Sequence, residues 1–212
     1  MKRRFTGVSA FFLALWLLLV AFFSVALNDE IYYYAQRRAG VTAQNSGLTA
    51  EECLTLDRQT AMFLAGRGSV PDGLSEDGQT HMRDVKALFS FARGAMIASF
   101  VLGIVFFLLG GCRLRLLRRA YRVFVLALAV LSLAVSLLRT ERFERLFSAF
   151  HRAVFSNGYW LMNPETEMLI RVMPIDFFKN MALFTFIAAG IFWLIGGLIL
   201  AAIQRWRAAD EK

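Results

Sequence analysis

At 212 residues, 58% hydrophobic and only 19% charged, the chain is too apolar for a water-soluble domain, in which about a quarter of residues are charged. Its formal net charge of +8 would suit a nucleic-acid partner, but the excess sits beside apolar runs, where it reads as a topology signal; no nucleic-acid partner is expected. Two cysteines and two histidines leave little material for a disulfide framework or a metal centre.

The first element follows "MKRR": an apolar run over 5–27, enough to cross a bilayer, which takes about 20 residues. A secretory signal peptide opens in the same way, but its apolar core is shorter, so an uncleaved helix is expected. The 28–86 segment is polar. Within it, Thr49 followed by Glu52 reads as a capping box that starts a short helix, with Leu54, Leu56, Met62, Phe63 and Leu64 on its apolar side. "GRGSVPDGLSEDGQ" then reads as turns. A second apolar run covers 87–111 and carries one charge, Arg93. An arginine inside the membrane is a functional hint, though snorkelling explains it equally well. A basic connection over 112–122 leads to the third and shortest run, 123–138.

The 139–180 segment opens with "RTERFERLFSAFHRAVF", in which Phe143, Leu146, Phe147, Phe150, Val154 and Phe155 recur at helical spacing. A helix so patterned lies at a membrane interface, and Tyr159 and Trp160 that follow favour the same place. Pro164 and Pro174 bracket a short piece before the fourth apolar run, 181–203.

The four runs are continuous rather than alternating, so they read as transmembrane helices. The expected fold is an all-α membrane protein, one integral membrane domain over 1–212, with a mostly helical cap built from 28–86 and 139–180. The two tails and the 112–122 connection hold eleven basic residues (Lys2, Arg3, Arg4, Arg113, Arg115, Arg118, Arg119, Arg122, Arg205, Arg207 and Lys212) against two acidic ones. The 28–86 segment holds six basic and nine acidic residues. Both termini are therefore expected in the cytoplasm and the cap outside. Cys53 and Cys112 then lie on opposite sides and cannot pair.

The histidines carry the chemistry. His81 lies about two turns before the second run enters hydrocarbon, with Asp84 one turn further on the same face, where a carboxylate can orient an imidazole. His151 approaches the same surface from the far end of the third helix. Two imidazoles at one depth make a general acid/base arrangement. A single interfacial histidine is more often an anchor, and His81, His151 and Asp84 also suggest a metal set; their spacing matches no zinc pattern, and no metal or other cofactor is expected. Phenylalanines near His151, Phe147 and Phe150 among them, are candidates to line an acyl-chain site together with Tyr159 and Trp160. No nucleophile elbow, zinc helix, P-loop or dinucleotide fingerprint is present, so an enzyme here would need acid/base help alone.

"HMRDVKALF" from His81 and "FHRAVFSNGYWLMNPETEMLIRVMPIDFF" from Phe150 resemble the bacterial lipoprotein intramolecular transacylase family, Lit, as do "SGLTAEE" and the four-helix layout. The resemblance implies catalytic histidines at His81 and His151; Asp84 and Arg93, read from helix spacing and intramembrane charge, are expected as supporting residues. It implies a diacylglyceryl lipoprotein as substrate, membrane lipid as surroundings and the bacterial cytoplasmic membrane as location. The implied reaction moves the sn-2 acyl chain to the α-amino group of the N-terminal cysteine and leaves a lyso-form lipoprotein. A monomer is expected. The alternative is a non-enzymatic four-helix membrane protein whose cap binds a partner or senses lipid.

Overall fold

The structure, a computed structural model, describes residues 2–210, so the Lys212 of the charge count lies outside the described residues. The described residues form helices α1 (Lys2–Ala26), α2 (Asp29–Arg38), α3 (Ala43–Ser46), α4 (Ala50–Leu64), α5 (Glu76–Leu109), α6 (Leu114–Ser136), α7 (Thr140–Val154), α8 (Met168–Val172) and α9 (Ile175–Asp210), with no strand among them. Four of these, α1, α5, α6 and α9, are long and apolar enough to cross a membrane. The fold is thus the all-α, four-helix membrane architecture expected from the sequence.

Helix α5 has 34 residues, which at about 1.5 Å each gives roughly 50 Å, well beyond the roughly 30 Å of a hydrocarbon core. The polar first turns, 76–86, are the part left outside, and they carry His81 and Asp84. The basic connection read over 112–122 is corrected: α6 already begins at Leu114, so Arg115, Arg118, Arg119 and Arg122 are helical. The true turn is four residues long. The N–H of Cys112 bonds the Phe107 carbonyl and that of Gly111 bonds Leu108, a Schellman ending that needs the left-handed Gly111 (φ 75°). Charge had marked the membrane edge, not the end of the helix.

The chain divides into two compact units. One comprises α1 to Phe23, Ala92–Ala134, and α9 from Thr185. Small residues let its helices approach closely. The Ser9 hydroxyl donates to the Gly103 carbonyl at 2.7 Å, and a Cβ at Gly103 would meet Leu13 at 2.8 Å. Tyr121 Oη donates to the Trp193 carbonyl (2.9 Å), and Trp193 Nε1 to that of Ala14 (3.0 Å). These bonds tie α6, α9 and α1 with polar groups that lipid could not satisfy.

The second unit, Ser24–Phe91 with Val135–Phe184, contains α2, α3, α4, α7 and α8. Its helices are capped locally: Asn28 accepts from the Glu30 N–H, and Thr49 and Glu52 form the expected reciprocal box. The two outer segments of the sequence are stitched together inside this unit. Asn180 Nδ2 donates to the Ala35 carbonyl (3.2 Å), Arg171 Nε to that of Ser46 (3.0 Å), and Tyr32 packs edge-on to Phe177 (5.5 Å). The Thr140 hydroxyl donates to Asp176 Oδ1 at 2.8 Å, which fixes the start of α7 against the start of α9.

Candidate active site

Helix α7 buries Phe143 and His151 within this unit, while Leu146, Phe150 and Val154 of its apolar stripe stay exposed, as do Arg142, Glu144, Arg145 and Arg152. His151 sits on the last turn and is 7% exposed; His81, on the second turn of α5, is 8% exposed. The two rings lie 5.8 Å apart between centroids. Phe155, just past the end of α7, packs against both, 5.1 Å from His81 and 5.3 Å from His151. Phe147 stacks on His151 at 4.0 Å, with Trp160 at 5.2 Å and Phe150 at 5.5 Å. His151 is thus enclosed by aromatic neighbours from its own helix and the loop that follows.

The protonation pattern follows from this enclosure. His151 Nδ1 lies 2.8 Å from the Phe147 carbonyl oxygen. A carbonyl only accepts, so Nδ1 carries the hydrogen and, in the neutral ring, Nε2 keeps a lone pair. Burial lowers the pKa of His151, against a smaller raising effect of that bond. His81 is held further down, at about 4, by burial first and by its His151 neighbour second, with Asp84 pulling the other way. Near neutral pH both imidazoles are uncharged. His81 Nδ1 is buried without a hydrogen-bond partner, an expensive state for a polar atom unless something else meets it.

Asp84 does not bond His81. Its Oδ2 accepts from Asn157 Nδ2 at 2.9 Å, so the carboxylate reaches the imidazole through charge alone. Asn157 was not singled out in the sequence, where "SNG" after a helix reads as a plain turn; its Oδ1 also accepts from the Tyr159 N–H (3.3 Å). The Tyr159 side chain is exposed, as is that of Phe150. Phe178, 4.9 Å from Phe147, extends the aromatic wall. Arg93 belongs to the other unit, with its guanidinium 5.8 Å over the Phe23 ring. Among the described residues, no three His, Cys, Asp or Glu side chains gather as metal ligands, and neither histidine hydrogen-bonds a serine or cysteine.

The arrangement can move a proton at Nε2 of His151 and offer a neutral imidazole beside it, in apolar surroundings suited to an acyl chain. The family model for the lipoprotein intramolecular transacylase Lit matches residues 8–178. Among solved structures, the chain is similar to the membrane integral lipoprotein intramolecular transacylase Lit from Bacillus cereus, at 21% identity over 100% of this chain and 97% of that one, with a TM-score of 0.78. It is also similar to a form of that protein with a histidine-to-arginine mutation (22% identity, 100% and 93% coverage, TM-score 0.68). A form with a histidine-to-alanine mutation is comparable (22%, 100% and 95%, 0.67). At these identities the structural likeness speaks for the fold, while the family match spans most of the chain. Comparison with the curated proteins gives no match.

Proposed function

We propose that this chain, which belongs to the lipoprotein intramolecular transacylase family, moves the sn-2 acyl chain of a diacylglyceryl lipoprotein onto the α-amino group of the same N-terminal cysteine. The observation that carries the residue assignment is the 5.8 Å meeting of His81 and His151, with the tautomer of His151 fixed by the Phe147 carbonyl. The amine has a reference pKa near 8, so a modest base suffices. His151 Nε2 takes its proton as nitrogen attacks the ester carbonyl. The new N–C bond forms, the bond between the carbonyl carbon and the glyceryl oxygen breaks, and His151 returns the proton to that leaving oxygen. His81, kept neutral by burial, donates an N–H to the carbonyl oxygen as negative charge develops there. Atoms and charge balance with no acyl-enzyme. Phe147, Phe150, Tyr159 and Trp160 hold the acyl chain, and the ring closure between donor and acceptor is favoured by that confinement. Asp84 supports His81; Arg93 supports the membrane-spanning end of α5.

In this reading both termini, the α5–α6 turn and the first turns of α6 are cytoplasmic, because eleven basic residues gather there against two acidic ones, and the histidines work at the outer surface. Both histidines come from one chain, so a monomer suffices. The test is expression in a host that makes diacylglyceryl lipoproteins, followed by mass spectrometry of a lipoprotein's N-terminal peptide. The expected product is N-acyl, S-monoacylglyceryl cysteine; an unchanged diacylglyceryl peptide with a free amine would remove the proposal.

A further inference from the structure

The transfer chemistry makes no use of the arginines of the unit that holds the α5–α6 turn. Around the α5–α6 turn and the last turns of α9, all within the apolar unit, lies a groove of about 400 Å³ lined by residues that include Cys112, Arg113, Arg115, Gln204, Arg207 and Leu116. Its charged lining is basic. Arg113, Arg115 and Arg207 come from two segments far apart in sequence, and among the described residues no Asp or Glu lines the groove. Gln204 Oε1 accepts from Arg118, which leaves the Gln204 amide NH₂ as a further donor. The groove meets the first turn of α6, where no acidic residue offsets the positive end of the helix dipole. Topology alone asks only for basic residues somewhere on the inner side; it does not ask that three of them converge with a helix start on one concavity.

We propose that this groove binds the phosphate of an anionic membrane phospholipid. Arginine forks match phosphate oxygens two at a time, and basic pockets between membrane helices suit such headgroups. Leu114, Leu116 and Ala208 supply apolar lining beside the donors. From there α6 presents Val123, Leu126, Val130 and Leu131 outward along its length, an apolar track for the acyl chains. A free phosphate would use the donors and ignore the apolar side, so the combination favours lipid. Trp206, exposed beside Arg207, is the residue type that settles at headgroup level.

The test uses the full-length protein in detergent, titrated separately with phosphatidylglycerol, phosphatidylcholine and inorganic phosphate. Native mass spectrometry counts retained lipid and thermal unfolding reads stabilisation. The native chain should retain phosphatidylglycerol, with little response to the other two. Arg113→Gln, Arg115→Gln and Arg207→Gln should each weaken retention about five-fold, and together on the order of a hundred-fold. A triple lysine variant, which keeps charge but loses the forks, should fall between. Acyl transfer by the triple Gln variant in detergent should be unchanged, because none of the three meets the histidines. Retention of phosphatidylglycerol by the triple Gln variant at the native level would overturn the site. Equal stabilisation by phosphatidylcholine or by inorganic phosphate would overturn the assignment to an anionic lipid. Should the triple variant not fold, the single variants decide, since undiminished retention in all three has the same force.

Discussion

Asn157 Nδ2 donates to Asp84 Oδ2 at 2.9 Å, across 73 positions of sequence. This bond joins the helix that carries His81 to the loop that follows α7, and so ties together the two segments that carry the histidines.

Breaking that bond should therefore cost turnover rather than folding. Asn157→Ala is expected to lower the rate of lyso-form production about ten-fold, the effect of losing roughly 1.4 kcal/mol of positioning. Asp84→Ala, which removes the acceptor, should lose at least a similar amount. The double variant should be little worse than Asp84→Ala alone, because the bond to Asn157 is already gone. Additive losses in a lyso-form assay would show that Asp84 and Asn157 act separately.

Loss of either imidazole should be far more severe. A general acid/base group is typically worth about 10² to 10⁴ in rate, so His81→Asn and His151→Asn should each reduce activity to near background. Both variants should remain folded and membrane-inserted, read by size-exclusion chromatography in detergent. Native activity in either one would dissolve the two-histidine mechanism.

The four membrane helices were legible because a hydrocarbon core demands long uninterrupted apolar runs, and nothing else in the sequence resembles them. The end of α6 was not, because Arg115, Arg118, Arg119 and Arg122 look like a loop while a helix tolerates them readily at the membrane edge. The pairing of His81 with His151 could be expected from topology, since each lies at the same end of its own apolar run. What encloses them could not: Phe155 is one of many phenylalanines at helical spacing, and only the break of α7 after Val154 brings it onto both rings. Asp84 was read as the partner of His81 because helix spacing is the one geometry a sequence displays; its bond to Asn157 depends on a loop whose path follows from tertiary packing.

Stability against pH should carry two opposing contributions. His81 is depressed to about 4 when folded, so between the unfolded value of 6.5 and that figure the unfolded chain binds the proton and the folded one does not. Its contribution is complete above pH 6.5 and is lost as pH falls towards 4. Asp57 is 0% exposed, with Oδ1 bonded to Gln36 and Oδ2 unpartnered, and burial pushes its carboxyl up to about 7. Here the folded chain holds the proton, so stability is lost as pH rises from 3.8 through 7. Thermal unfolding at pH 4.5 and 7.5 separates the two. His81→Asn should lessen the acid-side loss, and Asp57→Asn should raise the midpoint at pH 7.5 while leaving it nearly unchanged near pH 4. A native response to pH in Asp57→Asn would mean that this carboxyl stays ionised in the folded chain.

Sidedness has its own probe in the two cysteines, both half-buried. A membrane-impermeant thiol reagent applied to intact cells should modify Cys53, slowly because burial pushes its thiol up, and should leave Cys112 untouched until the membrane is permeabilised. Modification of Cys112 from outside would invert the topology and put both histidines on the cytoplasmic side.

The transfer itself should stay within one substrate molecule. Neither histidine bonds a serine or a cysteine among the described residues, so no side chain at the site is set up to carry an acyl group from one lipoprotein to the next. The donor ester and the acceptor amine belong to one modified cysteine, joined through sulfur and two glyceryl carbons, and the histidines need only move a proton between their two ends. Closing such a medium ring is slow in open solvent, and the aromatic walls of Phe147, Phe155 and Trp160 are what would fold it. Two lipoproteins with different peptides, one carrying heavy-isotope acyl chains, would be incubated together with the protein in vesicles. Each product should keep its own label and the same total of acyl carbons as its substrate. Heavy acyl groups on the light peptide would require either an acyl-enzyme or separate donor and acceptor sites. In that case the proton-shuttle role of His151 and the single-substrate geometry would both fall, even though the chain remains a member of its family.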